Sequence, residues 1–200
     1  GNTSQDASAN ELTFHITPPN APTISSISDN IGAVTGTVSN GGISDDRNLL
    51  IHIDLTGTNA VAGDKLKLFN GSSVLGSYEY TLDSFDISNG YTDLNTGWTG
   101  SAGNIDPGAR YSFVSGNLTD QYYDFNVKLI DTWGNTSSAS SNYQVLVDTQ
   151  PPTATIVNTF VQRLATANTI SGYDIQVQST EQGYAYLLPK NLSISSLADI

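Results

Sequence analysis

The chain is 200 residues long and 38% hydrophobic, 9% aromatic and 13% charged, too rich in apolar and aromatic residues and too sparse in charge for a disordered chain. Acidic residues outnumber basic ones 19 to 7, for a net charge of −12. That excludes nucleic acid and anionic lipid as natural partners and favours hard cations. There is no cysteine and no methionine, so rigidity outside the cell would need a source other than disulfides.

The opening Gly1-Asn2-Thr3-Ser4 carries no basic start and no apolar stretch of a leader. It reads as cut from the middle of something longer. The same four residues recur as Gly134-Asn135-Thr136-Ser137, 133 residues later. After each copy comes one alternating strand and then a double proline, Pro18-Pro19 or Pro151-Pro152. This repetition predicts a tandem array. Residues 1–17 would be the last strand of a preceding repeat, 20–149 a complete domain, and 153–200 the first part of a next, possibly split, β-module. Double prolines lack amide donors and fix φ, so they make short, stiff linkers.

Within 20–149, alternation and turn residues predict strands near 22–27, 33–38, 49–57, 64–70, 73–81, 109–116, 122–131 and 141–148. Asn70-Gly71 before Ser72 marks a hairpin turn. No helical period appears, and 83–108 reads as a long, loop-rich stretch containing Trp98. The fold class expected is all-β, an antiparallel β-sandwich. No apolar run approaches the ~20 residues that span a bilayer.

Aspartates fall at strand ends: Asp29 after the first strand, Asp45-Asp46 before the second long one, Asp131 with Asn135 after the seventh, and Asp148 before the double proline. Loops from several strands converge there, and calcium takes six to eight oxygens from carboxylates, carbonyls and water. The plain alternative is that Asp and Asn shape turns by bonding their own backbone. Histidines are few, His15 and His52, both within strands. Neither a histidine metal site nor a serine–histidine–acid set is marked, and Asp83 with Asp86 reads as a polar loop pair. Tyr91, Trp98, Tyr122 and Tyr123 offer a sugar- or peptide-binding platform as a rival function.

The runs Ala21-Pro22-Thr23-Ile24, Asp29-Asn30-Ile31-Gly32, Asn40-Gly41-Gly42-Ile43-Ser44-Asp45-Asp46, Gly63-Asp64, Asp131-Thr132-Trp133-Gly134-Asn135 and Val147-Asp148-Thr149-Gln150-Pro151-Pro152 together resemble the bacterial Ig-like extender repeats of large repeats-in-toxin adhesins, the biofilm-associated and ice-binding kind. The resemblance covers most of 20–152. Val177 to Leu188 resembles the opening of another adhesin module. What it implies is a non-enzymatic, secreted Ig-like spacer at the bacterial cell surface. Calcium would stiffen the spacer and neighbouring repeats would flank it, while other domains grip a host, surface or ice ligand. Carried onto this chain, the calcium ligands would be Asp29, Asp45, Asp46, Asp131, Asn135 and Asp148, with Asp64 and Asp106 as secondary candidates.

Overall fold

The computed structural model describes residues 15–32, 35–76, 79–96, 117–163 and 170–186. The chain divides into two compact units, Gly1–Thr149 and Gln150–Ile200. Both are built from β-strands, in antiparallel sheets with one parallel pairing.

In the first unit, β1 (Thr23–Asp29), β2 (Gly36–Val38), β4 (Leu50–Asp54) and β8 (Tyr91–Asn95) form a four-stranded antiparallel sheet in the order β2-β1-β4-β8. The second sheet runs β3-β10-β9-β5-β6, from β3 (Gly42–Ser44), β10 (Tyr143–Val147), β9 (Gln121–Ile130), β5 (Lys65–Asn70) and β6 (Ser73–Val74). β7 (Tyr80–Thr81) pairs with β5 off that path, and β3 is parallel to β10.

Strand alternation explains why the two sheets close on each other. Side chains on successive residues face opposite sides, so Ile51 and Ile53 of β4, Leu66 and Leu68 of β5, and Val145 and Val147 of β10 all turn inward. From β9 come Tyr123, Phe125, Val127 and Leu129. With Ile24, Ile27 and Leu94 they make one core shared by both sheets. β1 breaks strict alternation: the register shift between Ile24 and Ser26 lets both Ile24 and Ile27 reach the core. The result is a β-sandwich.

Differences from the sequence reading are local. The hairpin after β5 turns on Gly71-Ser72, with Asn70 paired to Ser73 and Gly71 at φ 57. The strand expected over 73–81 is two short pieces, β6 and β7. The stretch after Thr81 is not simply loop. It opens with a helix, α1 (Ser84–Asn89), and continues as β8, an edge strand of the first sheet. Asp83 caps α1 by accepting from Phe85 and Asp86 amides, Asp86 accepts from the Asp83 amide, and Gly90 ends the helix in the left-handed conformation. A six-residue helix is too short to show a period, which is why alternation misses it. The strand expected over 109–116, with Trp98 and Asp106, lies outside the described residues.

The described residues of the second unit form a hairpin, β11 (Ala154–Arg163) with β12 (Ile170–Ser179), closed at its base by mutual bonds between Thr153 and Thr180. Ile156, Val157 and Val177 are exposed on it. Among the described residues no helix is long and apolar enough to cross a membrane.

Candidate functional site

Strand direction sorts the candidate ligands. β9 ends at Ile130, next to Asp131, while its first residue, Gln121, pairs with Val147, next to Asp148. Ten residues at ~3.3 Å each separate those two positions by about 30 Å. The candidates therefore form two groups at opposite ends of the sandwich, here the leading end, where the chain arrives, and the trailing end, where it leaves.

The trailing end brings together Asp29, Asp45, Asp46 and Asp148. β1 ends in Asp29 and β3 in Ser44, and the Asp148 amide donates to the Ser44 carbonyl at 2.9 Å. The Ser44 hydroxyl donates to Asp29 Oδ2 at 2.5 Å and accepts from the Asp46 amide at 3.1 Å. Asp29 Oδ1 accepts from the Ile31 amide at 3.0 Å, shaping the turn that leads to Gly32. Asp46 Oδ1 accepts from Asn48 at 2.6 Å and its Oδ2 from the Asn30 amide at 3.5 Å. Thus the Asp29 turn and the Asp45-Asp46 loop interlock.

Asp29 and Asp46 are buried. Burial pushes the Asp46 carboxyl above its ordinary range, against hydrogen bonds from Asn48 and Asn30, and the Asp29 and Asp45 charges push it the same way. Asp45 Oδ1 and Asn48 Oδ1 are shut off from solvent, and no hydrogen bond reaches Asn48 Oδ1. The cation in this loop, Arg47, turns away to Asp120 at 2.8 Å and to Thr149 at 2.7 Å.

The leading end is organised differently. Asp64 is buried, with Oδ2 accepting from Val61 at 2.9 Å and Oδ1 from Thr132 at 3.1 Å. Asp131 Oδ1 accepts from the Trp133 and Asn135 amides, and Oδ2 from the Asn135 side chain. Partial desolvation would raise the Asp131 carboxyl, but the Asn135, Trp133 and Gly134 donors outweigh it and hold it below the ordinary range. Asp64 and Asp131 here do what the plain alternative says: they tie turns. Among the described residues no group of three or more His, Cys, Asp or Glu side chains is arranged to hold a metal ion by itself.

The aromatic platform divides too. Tyr123 is a core residue stacked on Phe125, with its hydroxyl accepting from the Thr119 amide at 3.0 Å. Tyr122 is exposed. Tyr91 is 38% exposed on the outer face of the four-stranded sheet, tilted against His52. Two things escaped the sequence reading. One is the His52–Asp93 contact at 2.6 Å, made across paired strands. The other is the pairing of Trp133 with His15, whose rings stack with centroids 3.9 Å apart. Both join residues distant in sequence, and no local pattern announces them. Compared with known proteins, the chain matches no family model, no curated protein and no solved structure.

Proposed function

We propose that this chain is a structural spacer of a calcium-dependent bacterial surface adhesin. In this reading an Ig-like extender module of a tandem array is followed by the opening strands of another β-module. The protein is secreted and non-enzymatic, and it holds a domain that grips a host, surface or ice ligand away from the cell. Two features favour the Ig-like assignment. The strand order β1-β4-β8 against β3-β10-β9-β5 follows the A-B-E and G-F-C arrangement, and Tyr123, near the start of β9, makes the corner bond to upstream backbone typical of that fold.

The observation that carries the calcium reading is the trailing-end nest. Asp29, Asp45 and Asp46 share one electrostatic neighbourhood, and Asn48 Oδ1 is buried without a hydrogen bond. The donors there are all oxygens of Asp, Asn and Ser, the set a hard cation prefers. Asp29, Asp45, Asp46, Asn48 and Asp148 would hold the ion, whose charge would offset the mutual repulsion of the carboxylates. The leading end supports this less: its donors hold the Asp131 carboxyl below the ordinary range, whereas at the trailing end burial and neighbouring carboxylates push Asp46 above it despite its hydrogen bonds.

Calorimetry tests the proposal. Calcium at 100 times its Kd adds about 2.7 kcal/mol to a folded state that alone binds it, worth roughly 5–10 °C in Tm for a domain of this size. Superimposable scans in chelator and in millimolar calcium would overturn it. A second reading, a calcium-dependent carbohydrate- or peptide-binding domain, draws on the exposed Tyr91 ring beside His52. Sugar-induced shifts of the Tyr91 ring resonances would support it.

A further inference from the structure

The segment that leads into β1 is held at both ends. At its start, the His15 ring stacks on Trp133 at 3.9 Å with the planes 11° apart, and the His15 carbonyl accepts from the Asn135 side chain at 2.9 Å. At its end, the Asn20 amide donates to Thr58 at 3.0 Å and the Asn20 side chain to Gly57 at 2.8 Å. Pro18 and Pro19 lie between these anchors, each with φ fixed by its ring. A stiff span pinned at two points cannot swivel about either one.

The receiving surface is built for this role. Trp133 and Asn135 sit on the turn after β9, and Asp131 holds that turn by accepting from both backbone amides and from the Asn135 side chain. That last bond orients the Asn135 amide, so its other hydrogen is aimed at His15. Asp131 thus acts as a positioning residue. Trp133 remains 60% exposed with His15 in place, and its ring stacks on the incoming chain.

We propose that the turn Asp131–Asn135 is a docking clamp for the incoming segment His15–Asn20, and that it fixes the direction in which a preceding module joins without using a metal ion. Its described contacts are ring stacking and hydrogen bonds, which chelation does not remove. The consequence for a rod of modules rests on the spacer reading; the clamp itself does not. It assigns Trp133 and His15 a role distinct from the acidic nest at the far end of the sandwich.

The test is the backbone heteronuclear NOE of Ile16 and Thr17 in the full chain, in excess chelator and in calcium. Both amides should match the β-strands in either condition. His15→Ala and Trp133→Ala should each reduce them to the values of a free tail, while Val127 and Val145, in the core strands, stay unchanged and certify folding. The clamp is overturned if Ile16 and Thr17 are mobile in the unaltered chain under chelator, or if they stay rigid in both variants. Rigidity that appears only with calcium also overturns it, and leaves the metal reading standing. Calorimetric scans that ignore calcium remove the metal reading and leave the clamp untouched.

Discussion

The Asp45 carboxylate rests on the backbone of Gly32 so closely that a β-carbon on that glycine would fall 2.0 Å from Asp45 Oδ2. Gly32 also sits at φ +84, in the left-handed region. This contact couples the Asp29 turn to the Asp45-Asp46 loop, and it requires glycine twice over, for conformation and for space. Gly32→Ala should cost about 1–2 kcal/mol in backbone strain and should also drive Asp45 out of the nest, abolishing the calcium increment in Tm. Gly41 is the control: it has φ +83 and nothing within 4 Å of an added β-carbon. Gly41→Ala should bring the strain while the calcium increment survives in calorimetry.

Asp46 should show opposite signs with and without the ion. Its folded-state pKa is raised above 3.8, first by burial and then by Asp29 and Asp45. A carboxyl with a raised folded pKa contributes stability below its unfolded pKa, and that contribution is lost as pH rises through the folded value. In chelator at neutral pH the ionised Asp46 is therefore a liability, and the Tm difference between Asp46→Asn and the unaltered chain should grow as pH rises from 3.8. In calcium the ordering reverses, because Asp46→Asn removes a ligand charge. Paired melts across pH, with and without calcium, check both halves. A variant that lowers Tm equally in every condition speaks against the nest.

Asp86 is the counter-case. It is 1% exposed, closes the capping box of α1 and accepts from the Tyr80 hydroxyl at 2.8 Å. Burial pushes the Tyr80 hydroxyl up to about 12, with Asp86 adding to the shift. Asp86→Ala removes a cap and takes one partner from the half-buried Tyr80 hydroxyl, a loss of about 1–2 kcal/mol. That loss should be the same in chelator and in calcium, since Asp86 is outside the acidic nest.

Tyr123→Phe isolates the corner bond. The ring stays in the core against Phe125, while the Thr119 amide and the Gln121 side chain lose their acceptor. Denaturant melts should show a loss of about 1–2 kcal/mol, independent of calcium. Tyr122→Phe, at an exposed site on the neighbouring residue, should be within about 0.5 kcal/mol of the parent.

Alternation made β1, β4, β5, β9 and β10 legible in the sequence, because a strand with one buried face writes its burial into neighbouring residues. The three-residue β3 and the edge strand β8 were not legible. Their pairing depends on Val145–Val147 and on Leu50–Asp54, partners far along the chain. The helix α1 did leave a signal, Asp83 three residues before Asp86 with Gly90 beyond, but a capping box read without a hydrophobic period is easily taken for a turn.

For the site, the sequence alone determined which residues carry charge and that they fall at strand ends. Only the tertiary structure decided which of them meet. Strand direction sends Asp29, Asp45, Asp46 and Asp148 to one end of the sandwich, and Asp64, Asp131 and Asn135 to the other. Backbone amides reach carboxylates in both groups, and only in the first does burial beside other carboxylates push one of them, Asp46, above its ordinary range. Electrostatic coupling depends on separation in space and on exclusion of water, and neither quantity exists until the sheets have closed.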